Sequence, residues 1–205
     1  MATVLSTKKL AVNQKELLLN SGISFVEFNA ISIKFIDFAL KSQCIKNAIF
    51  TSKNAMKAIE GKDISIEKCF CVGDKTAAFA SKKGYSVEEK GNNAKALAEK
   101  IISGHVKERF HFFSGNKRRE ELPGLLKKNC IKFTEIEVYE TLLNPKKFES
   151  QFDGIMFFSP SGVQSYTAQN QLKTTAFCIG ETTASEARKH TENIIIATKP
   201  AIENV

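Results

Sequence analysis

No apolar run in the sequence approaches the ~18 residues that a membrane-crossing helix needs, so a spanning protein is not expected. The first ten residues carry Lys8 and Lys9 inside a strand-like pattern. They lack the apolar core and small-residue cleavage site of a secretory signal, and the expectation is a cytoplasmic protein. Metal chemistry has little to work with: His105, His111 and His190 show no ligand spacing. The five cysteines are odd in number and scattered, and Cys69 and Cys71 form a C-x-C rather than the C-x-x-C of a redox or zinc site. Most sit in apolar, strand-like surroundings, where a thiol behaves as a small hydrophobe. Nucleotide fingerprints are missing too, with no G-x-G-x-x-G and no G-x-x-x-x-G-K-[ST]. There is no G-x-S-x-G elbow and no close pair of acids suited to acid–base work. Any catalytic site here would have few strong acid or base groups.

What is present is an ordinary globular composition with a basic balance. Of 205 residues, 42% are hydrophobic and 25% charged, with a formal net charge of +8. The surplus concentrates in residues 37–140, which hold 20 Lys/Arg against 14 Asp/Glu. A basic chain suits an anionic partner: nucleic acid, phosphate or polycarboxylate. Nucleic acid is disfavoured, because aromatic and basic residues do not interleave and no recognition motif occurs.

An internal repeat organises the chain. Across residues 70–82 and 177–189, seven of thirteen positions are identical at an offset of 107, with Phe70-Cys71-Val72-Gly73 answering Phe177-Cys178-Ile179-Gly180. An offset of 108 pairs Ser6 with Ser114, Leu17-Leu18 with Leu125-Leu126, and Phe25 with Phe133. The order is A-B-A′-B′. Each unit alternates short strands with helices of about ten residues, so the chain reads as α/β, two small domains with parallel sheets of roughly five strands. Predicted strands include 4–7, 23–33, 48–52, 69–72, 85–88, 110–114, 131–139, 155–159, 176–179 and 194–197. Predicted helices cover 14–20, 54–59, 75–83, 120–128, 162–168 and 182–190. The repeat alone does not decide whether the domains are tandem or interleaved.

Several strands end in small polar residues before a helix: Ser6-Thr7, Thr51-Ser52, Gly73, Ser114-Gly115, Ser159-Pro160-Ser161-Gly162 and Gly180. Ligands of open α/β sheets bind at these carboxyl ends, where helix N-termini offer N–H groups to anions. Such residues are also ordinary helix caps. Together the six loops and the basic surplus favour an anion-binding cleft. Lys117-Arg118-Arg119 and Lys53 are either solvated surface cations or a basic rim for carboxylates. Tyr139 stands where the repeat has Ile31, and is either a core edge with a wet hydroxyl or a general acid beside a ligand. Thr182 and Thr183 open a helix, as caps or as hydroxyl contacts.

Phe113-Ser114-Gly115-Asn116-Lys117-Arg118-Arg119-Glu120-Glu121-Leu122, Val138-Tyr139-Glu140-Thr141, Phe157-Phe158-Ser159-Pro160-Ser161-Gly162-Val163 and Cys178-Ile179-Gly180-Glu181-Thr182-Thr183-Ala184 stand in an order and spacing that resembles the uroporphyrinogen-III synthase family. The resemblance covers essentially the whole chain. It implies two flavodoxin-like lobes with parallel sheets, joined by a two-stranded connector near 34–40 and 138–145. Lobe 1 would be discontinuous, 1–35 with 142–205, and lobe 2 would be 36–141. It implies an enzyme that cyclises hydroxymethylbilane, a linear tetrapyrrole with eight carboxylates, inverting ring D with loss of water and needing no cofactor or metal. Tyr139 matches the tyrosine proposed to assist loss of the hydroxyl group. Thr182, Thr183, Ser159, Ser161 and Gly162 match cleft positions of one lobe, and Ser52, Ser114, Gly115 and Asn116 match loops of the other. Ser6, Lys8, Lys53 and Arg119 complete the expected substrate-binding set. Lys8 stands where the family often has Arg, Lys75 replaces a Thr at the counterpart of Thr182, and Glu181 replaces a small or neutral residue. The expected partners are the bilane alone, with no nucleic acid and no membrane, for a monomer in possible transient contact with hydroxymethylbilane synthase. The rival reading is a non-catalytic two-lobe binder of an anionic small molecule.

Overall fold

Strand–helix alternation governs the fold from its first residues. The computed structural model describes all residues, Met1–Val205. In chain order the elements are β1 (Thr3–Ser6), α1 (Val12–Asn20), β2 (Ser24–Glu27), β3 (Ile31–Phe35), β4 (Cys44–Phe50), α2 (Lys53–Ile59), β5 (Ser65–Val72), α3 (Asp74–Lys82) and β6 (Val87–Gly91). There follow α4 (Ala94–Gly104), β7 (Arg109–Gly115), α5 (Glu121–Lys128), β8 (Lys132–Leu143), β9 (Gly154–Phe157), α6 (Pro160–Thr167), β10 (Thr175–Cys178), α7 (Glu181–Ala187) and β11 (Ile194–Ile196). No helix is long and apolar enough to cross a membrane.

The chain divides into two compact units, Met1–Ser32 with Leu142–Val205, and Ile33–Thr141. The first holds a five-stranded sheet ordered β2-β1-β9-β10-β11, all parallel. The second holds a six-stranded sheet ordered β3-β8-β7-β4-β5-β6, parallel from β8 to β6. Counting strands along the first unit gives 2-1-3-4-5. Starting the second unit's count at β7 gives the same order. This is the doubly wound flavodoxin-like order, with a switch point between strands 1 and 3. The repeat therefore folds crosswise, the first A with the last B′ and the B with the A′.

Burial explains why the sequence takes this form. In β4 the run Ala48-Ile49-Phe50 is fully buried on both faces, as a central parallel strand requires. Ala48 and Phe50 face α2 and α3 together with Met56, Ile59, Ala77 and Ala80. Ile49 faces the opposite layer with Leu97, Ile101, Leu122 and Leu126 of α4 and α5. The first unit packs α6 and α7 on Leu5, Ile155 and Phe157. Helix α3 stops where expected, at Gly84, whose φ of +84° is left-handed and costs glycine little.

Three differences from the sequence reading have local causes. The span 23–33 is two strands rather than one, because the chain leaves the first sheet after Glu27 and β3 joins the second. Strand β6 lies at Val87–Gly91 rather than 85–88, since the Gly84 turn runs on through Tyr85, whose N–H donates to Ala80 O. Helix α4, capped by the Asn93 side chain on the Ala96 N–H, was not expected. It follows β6 in the second unit, and only a short 3-10 turn, Ile202–Asn204, follows β11 in the first.

Candidate functional site

At the switch point of the second unit, β7 and β4 are neighbours whose chains leave in opposite directions, to β8 and to β5. Their carboxyl ends leave a crevice. A cavity of about 340 Å³ lies there, within the range of small-molecule sites. Its wall is drawn from every strand end around the crevice: Thr51 and Ser52 after β4, Val72 on β5, Asn92 and Asn93 after β6, Lys117 to Arg119 after β7, and Tyr139 on β8.

Tyr139 is half-buried, packed beside the core of its unit. A register shift between Ser114 and Gly115 sets Gly115 opposite Tyr139. The ring lies directly on that glycine: a β-carbon at Gly115 would stand 2.4–2.8 Å from three ring atoms. Asn116 then clamps the tyrosine strand twice. Its N–H donates to Tyr139 O at 3.3 Å, and its Oδ1 accepts from the Thr141 N–H at 2.8 Å. Asn116 thus serves the backbone that carries Tyr139.

The three consecutive cations divide their work. Arg118 donates to Glu135 through Nε and Nη2 and to Glu120 through Nη1. Glu135 also accepts from the buried Ser114 hydroxyl at 2.9 Å. The Arg118 guanidinium holds the Glu135 carboxyl below the usual carboxylate range, and the same pairing raises Arg118. Lys117 and Arg119 are exposed on the cavity wall with no carboxylate partner. The loop therefore offers two open cations held in place by a third that is neutralised.

Other expected residues have structural duties. Ser52 caps α2 by accepting from the Asn54 N–H at 3.1 Å, and Ser159 caps α6 through the Gly162 N–H at 3.1 Å. Each keeps its hydroxyl proton for another acceptor. Ser6 is fully buried and donates to Lys8 O at 2.6 Å, folding the turn after β1. At the first unit's switch point, between β1 and β9, Thr7 donates to Met156 O at 2.7 Å. Gly162 lies over Thr7, and a β-carbon there would come within 3.4 Å of its hydroxyl. Thr183 is buried, whereas Thr182, Lys8 and Lys53 are exposed. Glu181 is engaged by Arg188, which compensates its charge.

The structure thus gathers Ser52, Gly115, Asn116, Arg119 and Tyr139 around one crevice. Ser6, Lys8, Ser159, Ser161, Gly162, Thr182 and Thr183 lie at the carboxyl edge of the other sheet. Sequence reading placed Lys117 in a possible basic rim but kept only Arg119 of that run in the substrate-binding set, and it missed Asn92 and Asn93. The signal for the asparagines was available: Gly91-Asn92-Asn93 is a small polar strand end before an apolar helical pattern.

The family model described as Uroporphyrinogen-III synthase HemD matches residues 13–205. No curated protein sequence matches the chain. Among solved structures, the fold is similar to that of uroporphyrinogen-III synthetase from Helicobacter pylori, with a TM-score of 0.75 at 18% identity over 100% of this chain and 96% of that one. It is also similar to a mutant uroporphyrinogen III synthase from Thermus thermophilus, with a TM-score of 0.66 at 14% identity over 99% and 95% of the two chains. At these identities the structures speak for the fold. Because the family model takes in nearly every residue, the chain belongs to the uroporphyrinogen-III synthase family, enzymes of tetrapyrrole biosynthesis.

Proposed function

We propose that this enzyme closes hydroxymethylbilane chiefly by positioning it, with Tyr139 assisting departure of the hydroxyl group and strand-end loops holding the carboxylates. In the reaction, the terminal C–O bond breaks as the adjoining pyrrole nitrogen pushes electrons toward the carbon. The phenol of Tyr139 gives its proton to the departing hydroxide, which leaves as water, and the proton released when ring D regains aromaticity restores the phenol. The resulting azafulvene carbon attacks the substituted position of ring D and gives a spiro-pyrrolenine. Fragmentation and recombination at the free position, with loss of a proton, restore the aromatic ring as uroporphyrinogen III. The reactivity belongs largely to the bilane, so holding one conformation is the main contribution available to the protein.

The observation that carries this reading is Tyr139 in the switch-point cavity beside Lys117 and Arg119. A weak acid sits within the same walls as two cations open to carboxylates. Ser52, Lys53, Ser114, Gly115 and Asn116 shape or line this edge. The Ser6, Lys8, Ser159, Ser161, Gly162, Thr182 and Thr183 set would serve further carboxylates. The reading takes the chain as a cytoplasmic monomer that receives its bilane from hydroxymethylbilane synthase in passing contact. Incubation with hydroxymethylbilane, with isomers resolved chromatographically, tests the function. Isomer III is expected, and isomer I alone, the product of spontaneous closure, would make the chain a passive binder.

A further inference from the structure

The amino end of the second sheet carries an unusual row of charge. In β7 and β8, Arg109 stands in register with Lys132, and His111 with Thr134. In β4 and β7, Ala48 stands in register with His111. Alternation puts Lys46, Arg109 and Lys132 on the sheet face that bears Ala48, Phe50, Phe113 and Ile136. Higher on that face these positions are apolar core. Below it, three neighbouring strands present three cations about 5 Å apart from strand to strand.

All three cations are exposed and none has an ion-pair partner. The nearest acids are mostly committed. Glu108 is held by His105 and Asn47, and Glu135 by Arg118 and Ser114. Glu67, beside Lys46 by the β4–β5 register, leaves the row with a surplus of positive charge. Like charges this close repel one another, and an anion would relieve them. The surface is also concave. A hollow of about 410 Å³ has Lys46, Lys107, Arg109 and His111 in its wall together with the committed Glu108, and one of about 640 Å³ has Arg109, His111, Lys127 and Lys132 together with the committed Glu135. The two share Arg109 and His111.

From this juxtaposition we propose a second anion site at Lys46, Arg109 and Lys132, which takes a small polyanion with two or more carboxylate or phosphate groups. Charge complementarity selects the ligand class, and the paired hollows set its size. The site is separate from the Tyr139 cavity, because Lys132 and Tyr139 lie seven residues apart on one strand, about 23 Å. The inference stands independently of the proposed function.

Calorimetric titration of the full chain at constant ionic strength tests it, with citrate in one arm, pyrophosphate in a second and a hexaglutamate peptide in a third. Saturable binding of citrate or pyrophosphate is expected. The tighter of the two identifies carboxylate or phosphate as the natural group. Affinity should fall roughly tenfold or more in the double variant Arg109→Ala/Lys132→Ala, fall several-fold in Lys46→Ala, and hold in Lys117→Ala. Turnover to isomer III should be unchanged in Lys46→Ala, and circular dichroism checks that each variant folds. Should the double variant fail to fold, the Lys46→Ala titration decides. Absence of saturable binding, or full affinity in Lys46→Ala or the double variant, overturns the site. Loss of binding in Lys117→Ala places the anion in the Tyr139 cavity instead, and binding of hexaglutamate alone makes the row a protein-docking surface. Either result overturns the small-anion assignment.

Discussion

A methyl group placed on Gly115 isolates the contribution of Tyr139's position from that of its hydroxyl. The added β-carbon would fall 2.4, 2.5 and 2.8 Å from three atoms of the Tyr139 ring. Ordinary carbon contacts need about 3.5 Å or more, so the ring must retreat by roughly 1 Å. Beside the ring lie the cavity and its solvent, so it has room to move. A misplacement of that size costs up to about 10²-fold in a reaction that depends on orientation. Overpacking itself costs about 1–3 kcal/mol of stability. Gly115→Ala should therefore fold, unfold at lower urea, and convert hydroxymethylbilane about 10–100 times more slowly than the parent. The decisive comparison uses Tyr139→Phe and the double variant, in a cycle read by isomer-resolved chromatography. If Gly115 acts by seating the tyrosine, Gly115→Ala should slow the Tyr139→Phe enzyme much less than it slows the parent. Full turnover in Gly115→Ala, or strictly additive losses in the cycle, would refute the reasoning.

Other predictions follow from the same geometry. Tyr139→Phe alone should lower kcat by roughly 10²-fold with an intact circular dichroism spectrum, and an unchanged rate would remove the phenol from the reaction. Lys117→Ala should raise KM several-fold with little change in kcat, whereas Arg118→Ala should lose about 1 kcal/mol of stability as its partners are released; equal effects of both on KM would contradict the division between them. Glu135 has its pKa lowered below 4.5 by Arg118, so its stabilisation is present above pH 4.5 and fades as acid carries the pH through the lower folded value. The urea-unfolding difference between the parent and Glu135→Gln should accordingly be larger at pH 7 than at about pH 3, and a pH-independent difference would count against the pairing. Burial pushes the Cys69 and Cys71 thiols up to about 12 and Cys178 up to about 11, while Cys44 and Cys130 are exposed. A thiol reagent at neutral pH should label Cys44 and Cys130 in the native chain and leave the other three until it unfolds.

The architecture was legible because repetition and periodicity are local signals. Phe70-Cys71-Val72-Gly73 and Phe177-Cys178-Ile179-Gly180 share one pattern and occupy equivalent strands, β5 and β10. The crosswise pairing was not in the repeat, since A joins B′ through contacts between residues some 150 positions apart, such as Leu5 with Ile155. Tyr139 stood out by breaking the repeat, yet its seat did not. That seat depends on a register shift between β7 and β8, and no sequence rule places Gly115 under residue 139. Arg118 and Arg119 are chemically identical neighbours, and only Glu135, brought alongside by the β7–β8 pairing, makes one a strut and leaves the other open. The cationic row at Lys46, Arg109 and Lys132 was equally invisible, because its members are distant in sequence and adjacent only in the sheet.

The central claim is that the carboxyl edge of the second sheet receives the tetrapyrrole. Nitrogen-15 NMR of the labelled full chain, titrated anaerobically with uroporphyrinogen III, tests it residue by residue. The largest amide shifts should fall at Ser52 and Lys53, at Asn92 and Asn93, and from Gly115 to Arg119, around Tyr139. Saturating product that leaves those amides unmoved would contradict the account.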